Sequence, residues 1–310
     1  MTVFCHACGI NIFHVEQIAS DNYYHVRLST VKIIPKLSVA FLPRVFNTRY
    51  RLARMTRKHK RFGNFIRKRL FDGDDMVVLP KDSVVKDVNL SIDIDDAGDR
   101  TILPSDIVKA VIDKADDIFI MNFCLCRKSN NCKDYPLDHG CVFLGKGTKK
   151  IPEKYGRFAT REEAKAYIDE CSDLGFVHII GRNKLDSVWL HTGDKKDLMS
   201  ICNCCPCCCL WNMVRDISDD ISGTYKKMDG VDVSVDTDEC IGCGSCAEIC
   251  FTKAITIIDG KCSIDQRCRG CGRCVERCPK DAIRIFFDGS KVDSEIERIE
   301  QLVNLTGYES

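Results

Sequence analysis

Cysteine carries the chemistry that this sequence can do. Of its 310 residues 22 are Cys, and six of these fall within positions 202–209, in the run ICNCCPCCCLW (201–211). One cysteine buries far less apolar area than a Leu or Phe, so core packing does not account for such density. Four chemistries use crowded thiols: a disulfide scaffold, a zinc site, a thiol–disulfide switch and an iron–sulfur nest.

The sharpest pattern lies further along. CIGCGSCAEICFTKAITI (240–257) and CRGCGRCVERCPKDAIRI (268–285) each read C-x2-C-x2-C-x3-C and match at an offset of 28 residues. Glycines coincide at 242/270 and 244/272, Ala at 254/282, and Ile at 255/283 and 257/285, so the segment is an internal duplication. Three cysteines on a tightly wrapped loop can reach three irons of one cubane, and the glycines between them permit positive φ and let backbone N–H groups approach the sulfides. The fourth cysteine, one helical turn on, points toward a second cluster. Zinc competes poorly, because four-cysteine zinc sites usually come as C-x2-C pairs parted by a longer loop. Cys262, in the intervening IIDGKCSID, reads as a bystander.

On these motifs, residues 230–288 resemble two-cluster bacterial-type ferredoxins. The resemblance implies crossed ligation of two [4Fe–4S] clusters. Cys240, Cys243, Cys246 and Cys278 would hold one, and Cys268, Cys271, Cys274 and Cys250 the other. Phe251 stands where the first motif's proline belongs, whereas Pro279 keeps the second. That departure is expected to alter packing near Cys250 without abolishing the site.

Upstream, FCLCRKSNNCKDYPLDHGCVFLGKG supplies Cys124, Cys126, Cys132 and Cys141, and the opening run supplies Cys202, Cys204, Cys205, Cys207, Cys208 and Cys209. These ten thiols exceed the four ligands of one cubane and suffice for two cubanes or one larger cluster. Neighbouring side chains of an extended chain point to opposite sides, so a Cys-Cys pair serves two neighbours, and Pro206 forces a turn within the run. The expectation is at least one additional Fe–S cluster drawing on both groups, which makes the groups spatial neighbours. Arg127 and His139 either place positive charge or N–H donors near the sulfurs, or serve only solvation and core hydrogen bonds. The motifs C-x-C-R, C-K-D-Y-P, H-G-C-V-F-L-G and I-C-N-C-C-P-C-C-C make residues 70–288 resemble a family of cytoplasmic 4Fe–4S proteins of anaerobes that also end in a two-cluster ferredoxin domain. That resemblance implies further Fe–S ligation and no particular reaction. A non-cubane cluster of the disulfide-reductase kind would want C-C-G, but Cys204-Cys205 precedes Pro206. A thiol–disulfide switch stays open, because thiols this close can oxidise.

Elements that position these residues are legible in outline. The fold class is α+β: a small Cys-rich middle domain over 100–228, then a ferredoxin-like two-[4Fe–4S] domain over 229–288. A basic-then-acidic region covers 1–99, and SEIERIEQLVNL within 289–310 reads as an amphipathic docking helix. LPSDIVKAVIDKADDI predicts a helix with Pro104 in its first turn, FIMNF a strand delivering Cys124, and TREEAKAYIDECSDLG a helix capped by Thr160 and Glu163. Cys171, within that helix, reads as a packed core thiol. FVHII and SVWLH predict a hairpin around GRNKLD, and VVKDVNLSIDI alternates like a half-buried strand.

The formal net charge of +1 hides an asymmetry. Residues 1–71 hold fourteen Lys/Arg against two acidic residues, and 72–99 hold nine Asp against two Lys. The boundary near Asp72 is a hinge, or the two stretches pair. Leu52, Met55, His59, Phe62, Phe65 and Ile66 fall on one face of the basic stretch, which suits docking to a protein better than nucleic acid. Cys5 and Cys8 form one C-x2-C, which is half a zinc site or two free thiols. No secretory signal or transmembrane segment is evident, so a cytoplasmic protein is expected, and there thiols serve metals or redox work rather than staples. LGKGTKK lacks the spacing of a phosphate loop. The sequence therefore points to a multi-cluster iron–sulfur protein relaying single electrons to or from a partner oxidoreductase or redox complex. The alternatives are an oxidoreductase subunit whose middle-domain cluster reduces a substrate, and a metallocluster assembly or transfer protein.

Overall fold

The computed structural model of the chain describes residues 2–5, 10–14, 46, 48–89 and 103–306. Strands β1 (Thr2–Cys5) and β2 (Ile10–His14) form an antiparallel hairpin in a unit of its own. Cys8 and the acidic stretch 90–102 lie outside the described residues, and with the latter the second half of VVKDVNLSIDI.

From Phe46 on, the described residues belong to one compact unit. It runs α1 (Arg49–Lys58), α2 (Lys60–Ile66), β3 (Asp75–Val78), β4 (Val85–Asn89), α3 (Pro104–Asp113), β5 (Ile118–Met121), α4 (Leu125–Ser129), β6 (Val142–Leu144), β7 (Gly156–Phe158), α5 (Arg161–Asp173), β8 (Val177–Arg182), α6 (Lys184–Leu190), β9 (Met199–Cys204), α7 (Asp219–Ser222) and β10 (Tyr225–Lys227). Apart from β4, the strands from β3 to β10 form one seven-stranded sheet, in the order β10-β3-β8-β9-β6-β5-β7. Its pairings are antiparallel except for β10 beside β3.

Strand alternation sorts the residues of β9. Met199 and Ile201 join Val77, Val142, Leu144 and Ile180 in the core beneath α3, which contributes Ile107, Val108, Val111 and Ile112, and α5, which contributes Ala164 and Ile168. Cys202 and Cys204 join Met76, Val78, Val177 and Ile179 on the opposite face. That face is covered by Ala53 of α1 and by Trp211, Met213 and Val214 of the 3-10 turn Leu210–Arg215. The placement of two thiols in an apolar layer thus follows from the period of one strand.

The remainder comprises β11 (Val231–Val235), α8 (Ser245–Ile249), β12 (Ile255–Ile258), β13 (Lys261–Ile264), α9 (Arg273–Glu276), β14 (Ile283–Asp288) and α10 (Val292–Glu300). β14 lies between β11, antiparallel, and β4, parallel, while β12 and β13 form a separate hairpin. The stretch before residue 100 therefore supplies a strand to each of these larger sheets.

The capping box of α5 forms, with the Thr160 hydroxyl accepting from Glu163 N–H at 3.2 Å and the Glu163 carboxylate accepting from Thr160 N–H at 2.8 Å. Three expectations need correction. SVWLH is not a strand but belongs to α6: the Asn183 side chain caps Leu185 N–H, and Asp186 accepts from Trp189 Nε1–H one turn on. The tail helix α10 is not a free docking element, because Ile299, followed by Val303 and Leu305, packs into the same core as α3. The single apolar face of the basic stretch does not form. His59 is extended between α1 and α2, which resets the helical register, so Ala53, Thr56 and Gly63 are buried while Leu52 and Phe65 are exposed. The charged stretches also find partners elsewhere. Arg57 and Arg67 pair with Asp219 and Asp220, and Asp72 and Asp75 pair with Lys195 and Lys226.

Candidate metal centres

The duplicated loops fold alike. Gly242 and Gly244 have φ of +67° and +81°, and their equivalents Gly270 and Gly272 have +63° and +83°. Each pair leads into a short helix, α8 or α9. A Cβ on Gly242 would stand 2.1 Å from the Gly260 carbonyl oxygen, so close approach as well as positive φ demands glycine there.

This wrapping gathers the eight repeat cysteines around two small cavities. Cys240, Cys243, Cys246 and Cys278 line one, and Cys250, Cys268, Cys271 and Cys274 line the other. In each, the fourth thiol comes from the opposite repeat. The duplicated alanines have matching duties: Ala254 N–H donates to Cys250 Sγ and Ala282 N–H to Cys278 Sγ, both at 3.3 Å. Hydrogen bonds to the ligand sulfurs tune a bound metal. Cys262 is more than a bystander. It lines the first cavity as a fifth thiol, its N–H donates to Cys240 Sγ at 3.3 Å, and its sulfur lies 3.7 Å from that of Cys246. Its position in the hairpin is legible in the sequence, but its approach to the loop is not.

The ten upstream thiols gather near the end of β9 in two groups. Cys124, Cys126, Cys141, Cys202, Cys204 and Cys209 line a cavity of about 240 Å³ whose wall also includes Trp189, Trp211 and Met213. Within it the sulfurs of Cys204 and Cys209 are 2.9 Å apart. Cys132, Cys205, Cys207 and Cys208 make the other group, with all four sulfurs within 4.8 Å of one another. The neighbours Cys204 and Cys205 thus divide between the groups, although Cys205 also touches the cavity wall. Cys171 is a buried core thiol beside the second group, its ionisation pushed up by burial.

Arg127 is the buried cation of this region. It has no exposed surface, its Nη1 donates to the Asn203 carbonyl at 2.9 Å, its Nη2 donates to the His139 carbonyl, and its guanidinium lies 4.2 Å over the Phe176 ring. Burial works against its charge, but the surrounding Cys124, Cys205, Cys141 and Cys204 outweigh that and hold the charge in place. In return, Cys124 is held down at about 6, chiefly by its hydrogen bond with Cys126 and, against burial, by the charge of Arg127. The His139 ring is directed elsewhere. It bonds Asp138 and Glu170 at 2.9 Å each and stacks on Tyr167.

The two cysteine-rich parts pack together around Phe251. Phe251 and Cys271 share an apolar cluster with Cys202, Cys204, Cys209 and Trp211. Arg273 Nη2 donates to the Cys204 carbonyl at 2.9 Å, and its guanidinium lies 5.5 Å from the Phe251 ring centre. Phe251, standing where the motif expects proline, therefore packs at this junction. No sequence signal marks Arg273, because a lone Arg inside a cysteine motif looks like any solvated charge.

Residues 233–256 and 264–284 match the family of 4Fe-4S binding domains. This part of the chain is similar to a 4Fe-4S binding domain. The two matched stretches are the two halves of the duplication, and no curated protein and no solved structure matches the chain. The donor sets agree with the match, because each small cavity is lined by four repeat cysteines, the number a cubane takes, with Cys262 as an additional thiol at the first. The domain implies an iron–sulfur electron-transfer role, and ferredoxin-type domains generally pass electrons to partner proteins. Among the described residues, no helix is long and apolar enough to cross a membrane.

Proposed function

We propose that the protein is a multi-cluster iron–sulfur relay that passes single electrons between a partner oxidoreductase or redox complex and its own thiol-rich middle region. In this reading Cys240, Cys243, Cys246 and Cys278 hold one [4Fe–4S] cluster, and Cys268, Cys271, Cys274 and Cys250 hold the second. Cys124, Cys126, Cys141, Cys202, Cys204 and Cys209 supply the ligands of an additional Fe–S cluster. The observation that carries the reading is the junction, where Phe251, Cys271 and Arg273 of the 4Fe-4S domain pack on Cys204 and its neighbours. Bound clusters supply one-electron chemistry. The chain's own residues exclude water at the junction, direct N–H groups at Cys250 and Cys278, and hold the Arg127 charge beside the middle thiols.

The first cavity suits exchange with a partner, since Cys243 is exposed and Ile241 and Ile258 present exposed apolar side chains nearby. The exposed basic side chains of α1 and α2, among them Arg51, Arg54 and Lys60, suit an acidic docking surface on that partner. Reductive EPR titration of anaerobically purified full chain tests the relay. Spin–spin broadening between the 4Fe-4S domain and a third paramagnet supports it, and isolated, non-interacting signals would sink it.

A second reading has one observation in its favour. The cavity of about 240 Å³ leaves apolar space beside six thiols, enough for a small substrate to be reduced there. A middle-region EPR signal that shifts on adding a small iron ligand such as cyanide would favour this reading, and an unchanged signal would leave the relay alone.

A further inference from the structure

The relay does not require Cys132, Cys205, Cys207 and Cys208. Their sulfurs lie within 4.8 Å of one another, with Cys207 at 3.5 Å from Cys132 and 3.6 Å from Cys205. Four thiolates around a single ion, at a metal–sulfur distance of about 2.3 Å, form a tetrahedron with edges of about 3.8 Å. Around a cubane each thiolate binds a different iron, so the sulfurs stand further apart. The chain carries its own ruler for this difference. Each repeat quartet lines one cavity, yet among the described residues it is the Cys132 group that is drawn this close. We propose that Cys132, Cys205, Cys207 and Cys208 bind one tetrahedral divalent ion, zinc or ferrous iron, in a site separate from the Fe–S clusters.

Local geometry agrees. Cys205-Pro206-Cys207-Cys208 is a C-x2-C turn in which Cys208 N–H donates to Cys205 Sγ at 3.3 Å, an arrangement that turns both sulfurs to one side. Asn212 Nδ2 pins the back of the turn by donating to the Pro206 carbonyl at 2.9 Å. Cys132 arrives from the loop after α4, its N–H bonded to the Arg127 carbonyl at 3.0 Å. Three of the four thiols are buried and Cys207 reaches the surface, so protein ligands close the shell, as in structural sites. An entering ion would displace the thiol protons to solvent. Such an ion ties the Arg127 loop to the end of β9 and so fixes the wall on which Arg127 and Cys204 meet. The proposal does not rest on the relay reading, because the repeat clusters can be intact or absent without changing this site.

The test is metal and iron analysis of anaerobically purified full chain, alongside Cys132→Ser and Cys207→Ser variants. The expected result is loss of one zinc or one iron per chain in the variants, with the EPR signals of the 4Fe-4S domain unchanged. Loss of a whole cluster's iron, or no change in metal, would overturn the proposal. Anomalous maps of wild-type crystals at the zinc and iron edges guard against misfolded variants and tell the two metals apart. A single-atom peak inside the tetrad supports the site, and a cluster-sized peak or none there refutes it.

Discussion

Replacing Arg127 with Met tests whether the middle thiols depend on a buried counter-charge. The substitution keeps an unbranched side chain but removes the cation, two hydrogen bonds to the Asn203 and His139 carbonyls, and the stacking on Phe176. Each orphaned buried acceptor costs about 1–3 kcal/mol. A desolvated cation–π contact adds about 2 kcal/mol. The resulting loss of about 4–8 kcal/mol is a large share of the roughly 5–15 kcal/mol that stabilises a domain. In metal-loaded protein that loss is expected to appear as middle-region iron that does not stay bound, while the 4Fe-4S domain keeps its clusters. Arg127→Lys should recover only part of it, because one ammonium cannot reach both carbonyls as the planar fork does. The assay is iron per chain together with the ratio of middle-region to 4Fe-4S-domain EPR intensity. Full iron and an unchanged ratio in Arg127→Met would show that the middle thiols hold metal without this counter-charge.

Three further outcomes are expected. Gly242→Ala should cost the first cluster and spare the second, because its Cβ meets the Gly260 carbonyl at 2.1 Å in a left-handed backbone; selective loss of one EPR component checks this. Thr160→Ala should weaken α5 by about 1 kcal/mol, read as faster amide exchange in its first turn. Asp74 is pushed up to about 7, first by burial, so the folded state holds a proton that the unfolded chain releases near pH 4. Stability from this group is full below about pH 4 and is lost as pH rises toward 7, by at most about 1.4 kcal/mol per unit. Asp74→Asn should therefore gain on wild type from pH 5 to pH 8 in thermal unfolding, and equal pH profiles would contradict the assignment.

The repeat was legible because its chemistry is local. Spacing, glycines and alanines all act within one loop, and the fourth thiol of each set needs only a short crossing. The strand carrying Cys202 and Cys204 was not legible as such, since six cysteines among eight positions mask the period that sorts them. The division of the middle thiols into groups of six and four depends on Cys132 and Cys141 arriving from residues far away in sequence. SVWLH misled because β-propensity is weak beside two side-chain bonds, from Asn183 and Asp186, that hold a helix turn. The basic stretch misled because one extended residue, His59, breaks a helical face that the sequence presents as continuous. Phe251 was flagged as a departure from the motif, but that it packs on Cys204 and its neighbours is a tertiary fact.

In the proposed relay, electrons pass from the repeat clusters to a third centre in the middle region. Mössbauer spectroscopy of anaerobically prepared, iron-57-enriched full chain, taken through stepwise reduction, tests it most directly. The expected result is more iron than two cubanes contain, with the additional subspectrum changing on reduction and its magnetic broadening tied to the 4Fe-4S domain. Iron limited to two cubanes, with no further subspectrum, would contradict it.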